Sequence, residues 1–171
     1  MTSTTGQAGS ALLVREGDAE FLGLPSGGAF RLLADSGETG AVLSANRLTL
    51  SEGSDGAQPH CHLLSSEFFY VLDGAAEFLI GDEIQVVEKG DVLVVPPGLP
   101  HAFGAVRGSG TDLLVIISPG VQRFGYFRML QAIARGEGSL ESLLPVQDRY
   151  DVHFLDSAIW QIARKGRPSA A

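Results

Sequence analysis

A mainly β fold, closed as a sandwich or barrel and followed by C-terminal helices, is predicted by three features of this sequence. Short apolar segments recur through the first two-thirds of the chain. Gly, Pro, Asp and Ser break them at close intervals, in a sequence holding 22 Gly and 8 Pro. After Pro119-Gly120 the apolar spacing changes to every third residue. Many short strands need many turns, and the period of the apolar pattern separates strand from helix.

The expected strands cover residues 11–15, 20–24, 29–34, 41–50, 59–63, 67–72, 75–80, 83–87, 92–95, 101–106 and 112–118. Asp73-Gly74 and Gly81-Asp82 read as hairpin turns. Val121, Phe124, Phe127, Leu130 and Ile133 then describe one face of a helix stopped by Gly136. Arg123, Arg128 and Arg135 read as its solvated side. Ser139 is placed to cap a second short helix running to Leu144 and ended by Pro145. Beyond Gln147 the pattern assigns no element, although Phe154 and Trp160 suggest a packed segment, with Trp160 anchoring it or meeting a second subunit. The organisation expected is a tail at 1–10, a barrel at 11–119, a helical extension packed on it at 120–164, and a tail at 165–171.

Composition narrows the function. With 171 residues, 44% hydrophobic and 19% charged, the chain is neither disordered nor collagen-like. A formal charge of −8 repels phosphate backbones and argues against nucleic-acid binding. No apolar run approaches the ~20 residues of a membrane span. The first ten residues lack the basic start and apolar stretch of a secretory signal. The lone cysteine, Cys61, cannot form an internal disulfide. A reducing cytoplasm is the expected compartment.

Chemistry concentrates in His60, His62, Glu67 and His101. Alternation along a strand sends the His60 and His62 imidazoles to one face and Cys61 to the other. Glu67 opens the next apolar strand after a four-residue connector, and His101 follows the rigid turn Pro96-Pro97-Gly98-Leu99-Pro100. Three imidazoles and a carboxylate suit one divalent transition metal, Fe, Mn, Co, Ni or Zn, with positions left for a guest molecule. A carboxylate in so apolar a strand needs a partner, and a metal supplies one. Phe69 and Val71 share the face of Glu67, and Phe103 that of His101. With Phe124 and Phe127 they form the expected substrate pocket, although barrel core or helix packing would equally explain them. His153 reads as a surface or capping histidine.

These residues resemble the cupin superfamily. Its first motif is G-x5-H-x-H-x3,4-E-x6-G, and this chain reads Gly53-x6-His60-x-His62-x4-Glu67-x6-Gly74, one residue longer in the first gap. Its second is G-x5-P-x-G-x2-H-x3-N, matched by Gly90-x5-Pro96-x-Gly98-x2-His101, with Ala105 in place of the closing Asn. That position is not a metal ligand in the family. The resemblance implies a double-stranded antiparallel β-helix, or jelly-roll barrel, and commonly a homodimer.

A finer resemblance concerns Pro119-Gly120 and Phe124-x2-Phe127, similar to the segment after the barrel in single-domain quercetin 2,3-dioxygenase-like bacterial cupins. It implies a polyphenolic or polyketide-derived substrate held by the metal. Glu67 would act as ligand and general base, and dioxygen would attack the activated anion. A non-redox cyclase or isomerase tailoring a polyketide in secondary metabolism would use the same Lewis acid and base without oxygen. A small-ligand-binding cupin without catalysis is the third reading.

Overall fold

The computed structural model describes residues 10–165. The expected tails lie outside the described residues, apart from Ser10 and Lys165. Among the described residues nine strands come first, and the helices follow with a short tenth strand between them: β1 (Glu20–Gly23), β2 (Ala29–Ala34), β3 (Ser44–Leu50), β4 (Asp55–Cys61), β5 (Ser66–Ile80), β6 (Glu83–Glu88), β7 (Val92–Val95), β8 (His101–Ala105), β9 (Thr111–Ser118), α1 (Phe124–Ala134), a 3-10 helix (Leu140–Val146), α2 (Gln147–Tyr150), β10 (His153–Phe154) and α3 (Ala158–Arg164). All pairings are antiparallel. The architecture is the mainly antiparallel jelly roll with C-terminal helices that the sequence predicts.

The two sheets share one long strand. The first half of β5 lies between β9 and β7, in a sheet that continues through β3 and β2 to β1. Its second half lies between β8 and β6, in a sheet that continues through β4 to β10. This corrects the expected hairpin at Asp73-Gly74. The chain does not reverse there; it bends and passes from one sheet to the other. Gly74 sits at φ +71° because β5 crosses the backbone of Gly110 so closely that a Cβ would lie 1.9 Å from the carbonyl oxygen. Gly81-Asp82 does close a hairpin, with Ile80 opposite Glu83.

Other boundaries moved for local reasons. Residues 11–15 form no strand. Gly40 and Ala41 both take positive φ and make a turn, so β3 begins at Ser44 instead of 41. β4 starts four residues earlier than expected, because Gly56 packs flat against the Phe103 ring, where a Cβ would sit 2.6 Å from it. Pro59 lacks an N–H, and the β4–β8 ladder is irregular between Ala57 and His60.

The core fills the space between the sheets. Phe69, Val71, Phe78 and Leu113 are fully buried, and the rings of Phe78 and Phe103 meet Phe69 at 4.9 and 5.2 Å between centroids. Helix α1 closes one opening by laying Phe127 on Phe30 at 4.9 Å. A second small cluster seats Trp160 of α3 against Leu79 and Ala102. Pro145 does not end the 3-10 helix, since its fixed φ fits that turn, and the chain runs on into α2. No described helix is long and apolar enough to cross a membrane.

Candidate metal centre and its cavity

His60 lies in β4 directly opposite His101 in β8. His62 follows immediately after β4, and Glu67 is the second residue of β5. The connector between them is held from far away. Asp151, in the left-handed conformation after α2, accepts the backbone N–H groups of Leu63, Leu64 and Ser65 on its two carboxylate oxygens at 2.7 to 3.3 Å. The Pro96–Pro100 turn is fastened to the same place, as Gly98 N–H donates to the His62 carbonyl at 2.7 Å. The two motifs are thereby locked to one another through backbone bonds.

All four side chains are buried, with at most 3% of any of these residues exposed. One donor atom from each lies within 4.8 Å of every other. The hydrogen-bond pattern settles the tautomers. Nδ1 of His60 contacts the Gln58 carbonyl at 2.7 Å, and Nδ1 of His101 the Leu99 carbonyl at 3.0 Å. Nδ1 of His62 contacts the Asp151 carbonyl. A carbonyl only accepts, so each Nδ1 carries the hydrogen. The Nε2 atoms of His62 and His101 then face Glu67 Oε2 at 3.0 and 2.9 Å. Contacts this short need a positive charge between nitrogen and oxygen, carried by a proton or by a metal ion.

The donor set therefore fits a metal ion. The carbonyl bond on each Nδ1 is the outer support that orients a histidine ligand toward a cation. Burial pushes His60 well below its ordinary 6.5, helped by neighbouring His101 and His62, so it stays neutral as a ligand must. Burial alone would raise the Glu67 carboxyl. The charge of His62, hydrogen bonds from His101 and His62, and the Arg123 guanidinium outweigh it and hold Glu67 well below the usual carboxylate range.

A cavity of about 80 Å³ opens above this group. His60 and Glu67 lie in its wall, which is otherwise mostly apolar and includes Leu48, Val115, Leu130 and Leu143. Of the expected pocket residues, Phe103 and Phe127 line it. Phe69 and Val71 are fully buried and are not in the lining; alternation turns them inward with Glu67, but their side chains are consumed by core packing. Phe124 packs against the core from its edge and does not line the cavity either. Tyr126 does, and burial pushes its hydroxyl up to about 12, which keeps it protonated.

Arg123 overturns the reading of a solvated arginine face. It is buried, lines the cavity and places Nη1 3.3 Å from Glu67 Oε1. Residues five apart on a helix point about 140° away from each other, so Arg123 and Arg128 never shared a side. Arg128 is the exposed one, paired with Glu20. Asn46 is also buried in the cavity wall. Its signal was present in the sequence, since it alternates with Leu48 and Leu50 on β3. Asp151 left no local signal. His153 is half-buried, opposite Cys61 in the β10–β4 pair, with Nε2 3.6 Å from Asp151 Oδ1. Cys61 is buried, and burial raises its thiol.

No curated protein sequence matches the chain. The family model described as a cupin domain matches residues 46–117, which contain all four donors. Among solved structures, an RmlC-like cupin from Shewanella frigidimarina aligns with a TM-score of 0.56 at 22% identity, covering 67% of this chain and 96% of that one. KdgF from Halomonas sp. aligns at 0.55 and 20% identity, covering 64% and 94%. A variant of PAC13 from Streptomyces, solved with uridine, aligns at 0.52 and 16% identity, covering 67% and 86%. At such identities these likenesses concern the fold. Residues 46–117 thus match a cupin domain, and the chain shares the jelly-roll fold of these solved structures.

Proposed function

We propose that this protein is a metal-dependent cupin enzyme, and that its reaction is a quercetinase-like dioxygenation of a polyphenolic or polyketide-derived molecule. The observation that carries the metal reading is the convergence of four buried ligand atoms within 4.8 Å of one another. His60, His62, Glu67 and His101 would hold one divalent transition metal. When bound, the ion supplies Lewis acidity to a substrate oxygen. The rest falls to the chain. The apolar wall excludes water and receives the body of the substrate. Phe103 and Phe127 offer aromatic faces to a ring. Glu67 is the ligand and the proton acceptor nearest an acidic hydroxyl in the cavity, with Arg123 balancing its charge.

A second reading, a non-redox cyclase or isomerase, is favoured by Arg123. A fixed guanidinium in a dry wall stabilises negative charge developing on oxygen whether or not dioxygen takes part. The fold does not choose, since Pac13, described as a nucleoside dehydratase, shares it at 16% identity. Elemental analysis of purified wild type and His62→Ala tests the metal. About one ion per chain in the wild type and a clear loss in the variant are expected, and unchanged metal content defeats the ligand assignment. Oxygen consumption with flavonols then tests the reaction, while turnover under strict anaerobiosis would move the assignment to the non-redox reading.

A further inference from the structure

We propose that Arg123 and Asn46 form an anion subsite beside the four-donor group, and that it selects an apolar, ring-bearing molecule with an acidic oxygen group at one end. This deepens the proposed function and rests on it for the metal.

Two polar side chains in the cavity wall are left with unspent donors. Arg123 is 6% exposed and Asn46 5%. The guanidinium gives Nη1 to Glu67 Oε1, while its Nε is buried without an acceptor. The Asn46 amide makes no side-chain hydrogen bond among the described residues. Buried donors are ordinarily satisfied, and an exception in a cavity wall asks for a ligand. An oxyanion is the acceptor that suits both groups.

The arginine is held in place, which distinguishes it from a flexible surface cation. Asp35, just past β2, accepts the backbone N–H of Arg123 at 2.8 Å and of Phe124 at 3.2 Å. This caps α1 from across the fold and fixes where its first residues stand. The Tyr126 and Phe127 rings flank the guanidinium carbon at 5.8 and 5.3 Å. A planar donor set so confined recognises geometry as well as charge.

Charge points the same way. A divalent ion held by the four donors would, with the carboxylate of Glu67 and the guanidinium of Arg123, leave a surplus of two positive charges. Asp55, the other carboxylate of the wall, is neutralised by Arg164 at 2.5 Å. In a wall otherwise built from side chains such as Phe30, Phe103 and Phe154, that surplus is poorly screened and favours an anionic guest.

The test is equilibrium binding by calorimetry, on wild-type protein loaded with zinc and checked for metal content. The probes are 2-naphthoate, 2-naphthol and the neutral 2-naphthalenemethanol. At least about tenfold tighter binding of an anion-forming probe than of the neutral one is expected, its identity separating carboxylate from phenol. Arg123→Gln should abolish that preference, and Arg123→Lys, which keeps charge without the planar fork, should restore part of it. Asn46→Leu should weaken the anion alone. Equal binding of the three probes by zinc-loaded wild type would overturn the subsite and leave the metal reading intact. Failure of the wild type to take up zinc would overturn the metal reading on which the subsite rests.

Discussion

Asp151 serves His62 twice: its backbone carbonyl receives the histidine's Nδ1 hydrogen, and its carboxylate gathers the three N–H groups that follow His62 in the chain. One buried residue thus aims a ligand and shapes the connector that delivers Glu67. Asp151→Ala keeps the carbonyl but removes the acceptor of three N–H groups, of which that of Ser65 is buried. A loss of about 1–3 kcal/mol in stability and about 10- to 100-fold in metal affinity is expected. Chemical denaturation and competition with a chromophoric chelator measure the two. Asp151→Asn, retaining one oxygen, should fall between.

The site predicts how stability depends on pH. His60 is held below its ordinary 6.5, so below that pH the unfolded chain binds a proton that the folded chain refuses. Stability declines as pH falls through 6.5. Glu67 is held below its ordinary 4.5, and its contribution, complete above that value, is lost as pH drops toward the folded value. Two successive losses are expected, each with a slope of at most about 1.4 kcal/mol per pH unit. Thermal melts between pH 8 and pH 4, with chelator present, follow them. His60→Asn should flatten the segment just below 6.5, and an unchanged profile would refute the assignment.

Arg164 ties α3 to the barrel. Its guanidinium meets Asp55 at 2.5 Å and donates to the carbonyls of Gly53, Ser54 and Ala105. Arg164→Met strands a buried carboxylate and should lower stability by about 3–5 kcal/mol. Replacing Asp55 by Leu in the same protein should recover part of this, a sign difference that a double-mutant cycle in urea reads directly.

Two glycines with positive φ should respond unequally. Gly74→Ala drives a Cβ into the Gly110 carbonyl, whereas Gly90, at φ +93°, has nothing within 4 Å of where its Cβ would be. Gly90→Ala is expected to cost about 1–2 kcal/mol from backbone strain alone. Gly74→Ala should cost more and separate the sheets that β5 joins. Equal unfolding midpoints would show that the bend in β5 tolerates a side chain.

The fold and the four donors were legible in the sequence because both rest on local rules. Alternation set the faces of His60, His62 and Glu67, and turn residues marked nearly every strand end. What stayed hidden depends on neighbours distant in sequence. Asp73-Gly74 has the composition of a hairpin and became a bend only because Gly110 passes beside it. Arg123 looked solvated until Asp35 and Glu67, from two different strands or their ends, closed around it. The core positions Phe69 and Val71 show the opposite limit: facing inward does not distinguish a cavity wall from a filled interior.

The carbonyl that steers His62 belongs to a residue 89 positions further along the chain. During synthesis on the ribosome all four donors emerge before it. An ion captured early would meet a half-aimed imidazole, so secure loading is an event of the finished chain. Loss of the segment around Asp151, by proteolysis or a premature stop, would release the ion from a barrel in which β1 to β9 are all still present.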